Sequence, residues 1–138
     1  MESGKTPFRV RPLPRKGGPI HDRRKRRSAS SAVAMELALS SAAARGRFEA
    51  VILVDDDGML VSRNRTALDL SMLAAVTPIV ARGQAVPRIK REGKPLDLSV
   101  SALELAGETF YVAVLGGSFG DRRRELDESI SAARRILA

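Results

Sequence analysis

Three consecutive carboxylates, Asp55, Asp56 and Asp57, stand before Gly58 and between two apolar runs, Val51–Val54 and Met59–Val61. By type these residues could hold a cation or move a proton. Their spacing argues against both. A calcium loop draws ligands from alternate positions and closes with a glutamate at its twelfth. Here the acids are consecutive, and the twelfth position counted from Asp55 is Thr66. Neighbours on a strand point to opposite faces, so these three do not converge as an acid–base pair must. Aspartate and a positive-φ glycine are ordinary materials of a hairpin turn. The expectation is a turn from Asp55 to Gly58, with no metal and no catalytic role.

The other candidates for chemistry are sparse. His21 is the single histidine, and it lies in an N-terminal arm. There is no cysteine, so no thiolate nucleophile, thiolate metal site or disulfide forms, and no Ser–His–Asp set can be assembled within the fold. Gly116, Gly117 and Gly120 lie between an apolar run and the last helix, as a phosphate loop would, but the P-loop spacing and lysine are absent. They read as a tight connection. The chain is therefore expected to be no enzyme and to carry no cofactor. No apolar stretch approaches the ~20 residues of a membrane span, and the basic start is not followed by an apolar signal core. A cytoplasmic protein is expected.

The strongest chemical signal is cationic. Residues 1–31 hold ten Lys or Arg and two Asp or Glu, a net of +8, and the remaining residues hold fourteen of each sign. Arg23, Arg24, Lys25, Arg26 and Arg27 form a compact patch able to recruit an anionic partner: nucleic acid, acidic lipid or acidic protein. Residues 1–27 are rich in proline and glycine and have little apolar material to offset ordering entropy, so they read as a disordered basic tail. Phe8 is the only aromatic there, which gives no interleaving for base stacking.

The elements behind the tail, residues 28–138, read as one domain of modest core. "SASSAVAMELALSSAAARGRF" is a first helix, capped by a serine among Ser28–Ser31 and stopped by Gly46. Val33, Leu37, Ser41 and Ala44 follow helical spacing on it, with Met35, Ala38, Leu39 and Ala42 widening the apolar face. Ala50–Val54 is apolar at every position, so this strand is covered on both faces. Met59–Val61 begins its hairpin partner. "TALDLSMLAAVTPIVARG" is a second helix with Thr66 as cap, Pro78 as a kink or early end, and Gly83 as stop. Leu68, Met72, Ala75 and Ile79 form one stripe, and Leu73, Val76 and Val80 an adjacent one. A helix this apolar has more to bury than one sheet face needs, which predicts a homodimer. The expected interface residues are Leu70, Leu73, Val76, Thr77 and Val80.

"AVPRIKREG" is a short edge strand marked by Pro87 and its charges. "PLDLSVSALELAG" alternates cleanly up to a phase shift at Ala102–Leu103, which suggests a bulge. "TFYVAVLGG" is again apolar from Phe110 to Leu115, so it too is covered on both faces. A last helix begins near Asp121, with Leu126, Ile130, Ala133 and Leu137 inward and Arg122 to Arg124 solvated or serving a partner. The two fully apolar strands must be central neighbours, each with its hairpin partner outward. The fold class is therefore α/β (α+β): a three-layer sandwich with a five-stranded, mostly antiparallel sheet of order 2-1-5-4-3. The second helix lies on one face and the first and last on the other.

With this succession the chain resembles the Roadblock / dynein light-chain superfamily, in its bacterial type. The likeness covers about residues 30–138 and rests on "AVILVDDDGMLVSRN", "LDLSMLAAVTPIVARG", "LSVSALELAGETFYVAVLGG" and "GDRRRELDESISAARRIL". Longin-like and profilin-like domains share similar layouts. The Ala/Ser-rich first helix and the charged third strand with Pro87 depart from the usual pattern. The resemblance implies a dimer through central helices and an edge strand. It also implies a regulatory or scaffold module for a small Ras-like GTPase or a larger assembly. Two other classes are compatible with the residues: a nucleic-acid- or anionic-surface-associated protein acting through the tail, and a small-molecule sensor on a longin- or profilin-like fold.

Overall fold

The computed structural model describes residues 18–138. In chain order the elements are α1 (Gly18–Gly46), β1 (Ala50–Asp55), β2 (Leu60–Arg63), α2 (Ser71–Ala81), β3 (Arg88–Arg91), β4 (Lys94–Leu105), β5 (Glu108–Leu115) and α3 (Phe119–Leu137). The globular unit is Ser31–Ala138. Every strand pair is antiparallel, and the sheet runs β2-β1-β5-β4-β3. This is the expected order, and its cause is visible at β1. Val51 to Val54 are fully buried, and alternate residues belong to two cores. Ala50, Ile52 and Val54 pack with Leu70, Leu73 and Ala74 of the α2 side. Val51 and Leu53 pack with Met35 and Leu39 of α1 and Leu126 and Ile130 of α3. Burying a side chain of this size contributes about 1.5–3 kcal/mol, so both faces must be covered for the strand to exist.

Several local expectations are corrected. α1 begins at Gly18, ten residues before the expected cap at Ser28. Arginine and lysine have high helix propensity, which a reading of apolar spacing does not register. The rest of the expected disordered tail, residues 1–17, lies outside the described residues. Val33, Leu37, Ser41 and Ala44 face solvent, and the core stripe of α1 is Met35, Leu39 and Ala42. Both stripes have helical period in an Ala-rich helix, so spacing alone could not choose between them. β4 has no bulge: its pairing with β5 is regular from Leu98↔Leu115 to Leu105↔Glu108. The apparent phase shift is a change of covered face. Leu96, Leu98 and Val100 point to the α2 side, and Leu103 and Leu105 to the α1/α3 side. The irregularity lies instead in the β1–β2 pair, between Leu53 and Val54.

Asn64 ends that pair. It is buried, its side-chain Oδ1 accepts from Val51 N at 2.9 Å, and its own N–H donates to the Val51 carbonyl at 3.0 Å. α3 begins at Phe119 rather than near Asp121. Ser118 is its N-cap, and the hydroxyl accepts from Asp121 N at 3.1 Å, which satisfies one free amide of the first turn.

Candidate functional site

The three aspartates lie in the β1–β2 turn, and the carboxylates of two of them, Asp55 and Asp56, act in different ways. Asp55 Oδ1 accepts from the amides of Asp57 and Met59, both at 2.9 Å. Gly58, at φ +83, is the left-handed residue of the turn. Asp56 reaches beyond it: its Oδ1 accepts from Tyr111 Oη of β5 and from Arg82 Nη2 after α2, both at 2.8 Å. The Tyr111 hydrogen bond, seconded by Arg82, holds the Asp56 carboxyl below the usual aspartate range. The same bond, with burial, raises the Tyr111 phenol above its ordinary value. The cluster therefore ties three elements together with an ionised carboxylate.

That tie fixes how α2 sits. A side chain at Gly58 would meet Ala75 Cα at 3.1 Å, so turn and helix touch through backbone. Pro78 does not end α2. It lacks the N–H that the Ala74 carbonyl would accept, and Gly58 packs beside that carbonyl. The helix closes at Arg82–Gln84, where Gln84 N donates to the Ile79 carbonyl and Gly83 takes φ +75. Its start is Ser71, not the expected Thr66 region. Arg63 Nη2 donates to the carbonyls of Thr66 and Leu68, both at 2.8 Å. A helical turn there would need those acceptors for its own amides.

Of the five residues expected at an interface, Leu70, Leu73 and Thr77 are buried, and Val76 and Val80 are half-buried against the same core. Thr77 Oγ1 donates to the Leu73 carbonyl at 2.8 Å. The outward stripe of α2 is Met72, Ala75 and Ile79, with Met72 79% exposed. Met59, next to Gly58, is 64% exposed. The apolar surface that α2 leaves exposed is this stripe, whereas the expected set packs into the core of the chain itself. Its stripe was present in the sequence. Which of two stripes would face the sheet was not.

Arg122 is a second correction. It is buried at 4% exposure. Its Nε donates to Ser99 Oγ at 2.8 Å, and its Nη1 to the carbonyls of Gly116 and Gly117 at 3.0 and 2.8 Å. It holds the β5–α3 connection, where both glycines have positive φ. Arg123 and Arg124 remain exposed. The cationic run Arg23–Arg27 falls on the α1 backbone, and its side chains lie outside what the structure describes. Among the described residues no helix is long and apolar enough to cross a membrane.

No protein-family profile matches the chain, and no curated protein sequence does. Solved structures do. MglB of Myxococcus xanthus aligns with a TM-score of 0.50 at 19% identity, over 76% of this chain and 88% of its own. An MglB structure described by its tetrameric arrangement gives 0.55 at 13% identity, over 77% and 89%. The gliding protein MglB of Thermus thermophilus gives 0.54 at 13% identity, over 77% and 90%. Likeness at such identities establishes architecture: the chain has the Roadblock/longin fold of MglB.

Proposed function

We propose that this chain, built on the MglB fold, is a non-enzymatic, dimeric regulatory or scaffold module that binds a small Ras-like GTPase in the cytoplasm. The observation that carries the reading is the outward stripe of α2. Met72, Ala75 and Ile79 expose apolar surface on a helix whose opposite side is already packed. Monomeric soluble proteins seldom leave a contiguous patch of this kind uncovered. A second copy covers it in the proposed dimer. The resemblance to Roadblock domains supports the GTPase as the further partner, and the fold shared with MglB supports that resemblance.

The test is direct titration calorimetry of the full chain with the small Ras-like GTPases of the same genome, each loaded with a non-hydrolysable GTP analogue or with GDP. Nucleotide-dependent binding, together with a change in GTP hydrolysis rate, is expected for one of them. Absence of binding in both nucleotide states across that set ends the proposal.

A further inference from the structure

The end of the sheet where β1 begins and β5 ends gathers three features that the α2 face leaves unused. The first is Arg47, which takes φ +55, a conformation that favours glycine. α1 closes with Phe48 N donating to the Ala43 carbonyl at 3.0 Å, and the residue between cap and donor is usually the glycine of such an ending. Here the glycine stands one residue early, because a side chain at Gly46 would meet the Phe48 ring at 2.1 Å. Arg47 carries the strain and is exposed. The second feature is Phe119, 66% exposed at the start of α3. The third is Arg122, whose buried charge has only neutral acceptors and no carboxylate within ion-pairing distance among the described residues. Buried charges are ordinarily paired.

These features form one surface. A side chain at Gly117 would meet the Phe48 ring at 2.6 Å and the Gly46 carbonyl at 3.2 Å, so the α1–β1 and β5–α3 loops touch. The Arg122 guanidinium lies 5.8 Å from the Phe119 ring centroid. Glu49, against Gly116, accepts from Arg91 Nε at 3.1 Å, which brings in the β3–β4 hairpin, where Lys94 stands opposite Arg91. Arg47, Lys94 and Arg123 are exposed, and among the described residues none has a carboxylate within 4.0 Å.

We infer that this end of the sheet docks an acidic peptide segment of a partner protein, with Phe119 as its apolar anchor and Arg47, Lys94 and Arg123 as its cations. Arginine beside an exposed aromatic is the composition of interface hot spots. Glu49, Glu92 and Asp121 stand among the cations, spacing the positive charge to suit separate carboxylates rather than a continuous phosphate backbone. Residues in rare backbone conformations gather at functional sites, and Arg47 is one such residue on this surface. The surface is separate from the α2 stripe and holds whether or not a second copy covers that stripe or a GTPase is bound.

The test is an amide-shift titration of the isotopically labelled full chain with a synthetic peptide of glutamates around a central leucine. The expected shifts fall on Arg47, Gly117, Ser118 and Gly120. Phe119→Ala, at an exposed position, is expected to weaken binding about tenfold. Arg47→Gly is expected to weaken it as much while raising the melting temperature by about 4 °C, as relief of a strained residue does. Shifts confined to the N-terminal arm, unchanged affinity in both variants, or displacement of the peptide by equimolar single-stranded DNA would each overturn the assignment.

Discussion

Asp56 belongs to a turn, yet its carboxylate serves two other elements, Tyr111 of β5 and Arg82 beyond α2. The bond requires an ionised aspartate and a protonated phenol, which gives stability a pH dependence of known sign. The Asp56 pKa is lowered in the fold, so its contribution is full above the ordinary aspartate value of about 4 and is lost as pH falls through the folded value. The Tyr111 pKa is raised, so its contribution is full below about 10 and is lost as pH rises through the folded value. Urea unfolding across pH is expected to show both limbs in the natural chain. Tyr111→Phe should flatten the alkaline limb, and Asp56→Asn should flatten both. A double-mutant cycle should return a coupling near neutral pH that vanishes as pH falls through the lowered Asp56 value. Residue types announced the turn, because three acids before a glycine can do little else. They could not announce Tyr111, Asn64 or Arg122, whose partners are fixed only when distant strands pair.

An element exposes one face and buries another, and that choice separates what spacing could and could not show. Strands were legible because β1 is apolar from Ala50 to Val54 and β5 from Phe110 to Leu115, which leaves no face free. Helices were less so. α1 has two apolar stripes, and the buried one is set by the approach of α3 and the sheet, not by its own sequence. Leu39→Ala is therefore expected to cost about 2–5 kcal/mol, whereas Leu37→Ala, on the solvent stripe, should stay within about 0.5 kcal/mol; thermal denaturation of the two compares them directly. The turn against α2 offers a sharper comparison. Gly58 and Gly107 have nearly the same φ, +83 and +81, but a side chain at Gly58 meets Ala75 at 3.1 Å while one at Gly107 meets nothing within 4 Å. Alanine at either position carries the left-handed penalty of about 1 kcal/mol. Only Gly58→Ala should exceed it, by pushing the turn from α2. Equal costs would mean that α2 yields, and that the turn does not position that helix.

For the whole molecule, strand order followed from which strands were buried twice, and the three layers followed from that order. Charge layout did not follow from counting. The chain divides into a strongly basic arm and a remainder with fourteen residues of each sign, which suggests a domain without polarity. In the fold, Arg47, Lys94 and Arg123 gather at one end of the sheet with Glu49, Glu92 and Asp121 among them, while Asp55, Asp57 and Glu108 lie toward the other. Apolar and electrostatic association should therefore respond to different changes. A dimer through α2 buries Met72 and Ile79, so Met72→Glu with Ile79→Glu should convert dimer to monomer in sedimentation equilibrium without loss of helical signal. Both side chains are exposed in the monomer, and raising the salt should leave the proposed dimer intact. Replacing Arg23 to Arg27 with glutamine should leave that dimer unchanged and remove most of any affinity for duplex DNA or acidic vesicles. The affinity it removes should be the part that falls steeply with salt, as phosphate contacts do. Binding of duplex DNA that survives this substitution with its salt dependence intact would place the anion-binding surface on the globular unit instead of the arm.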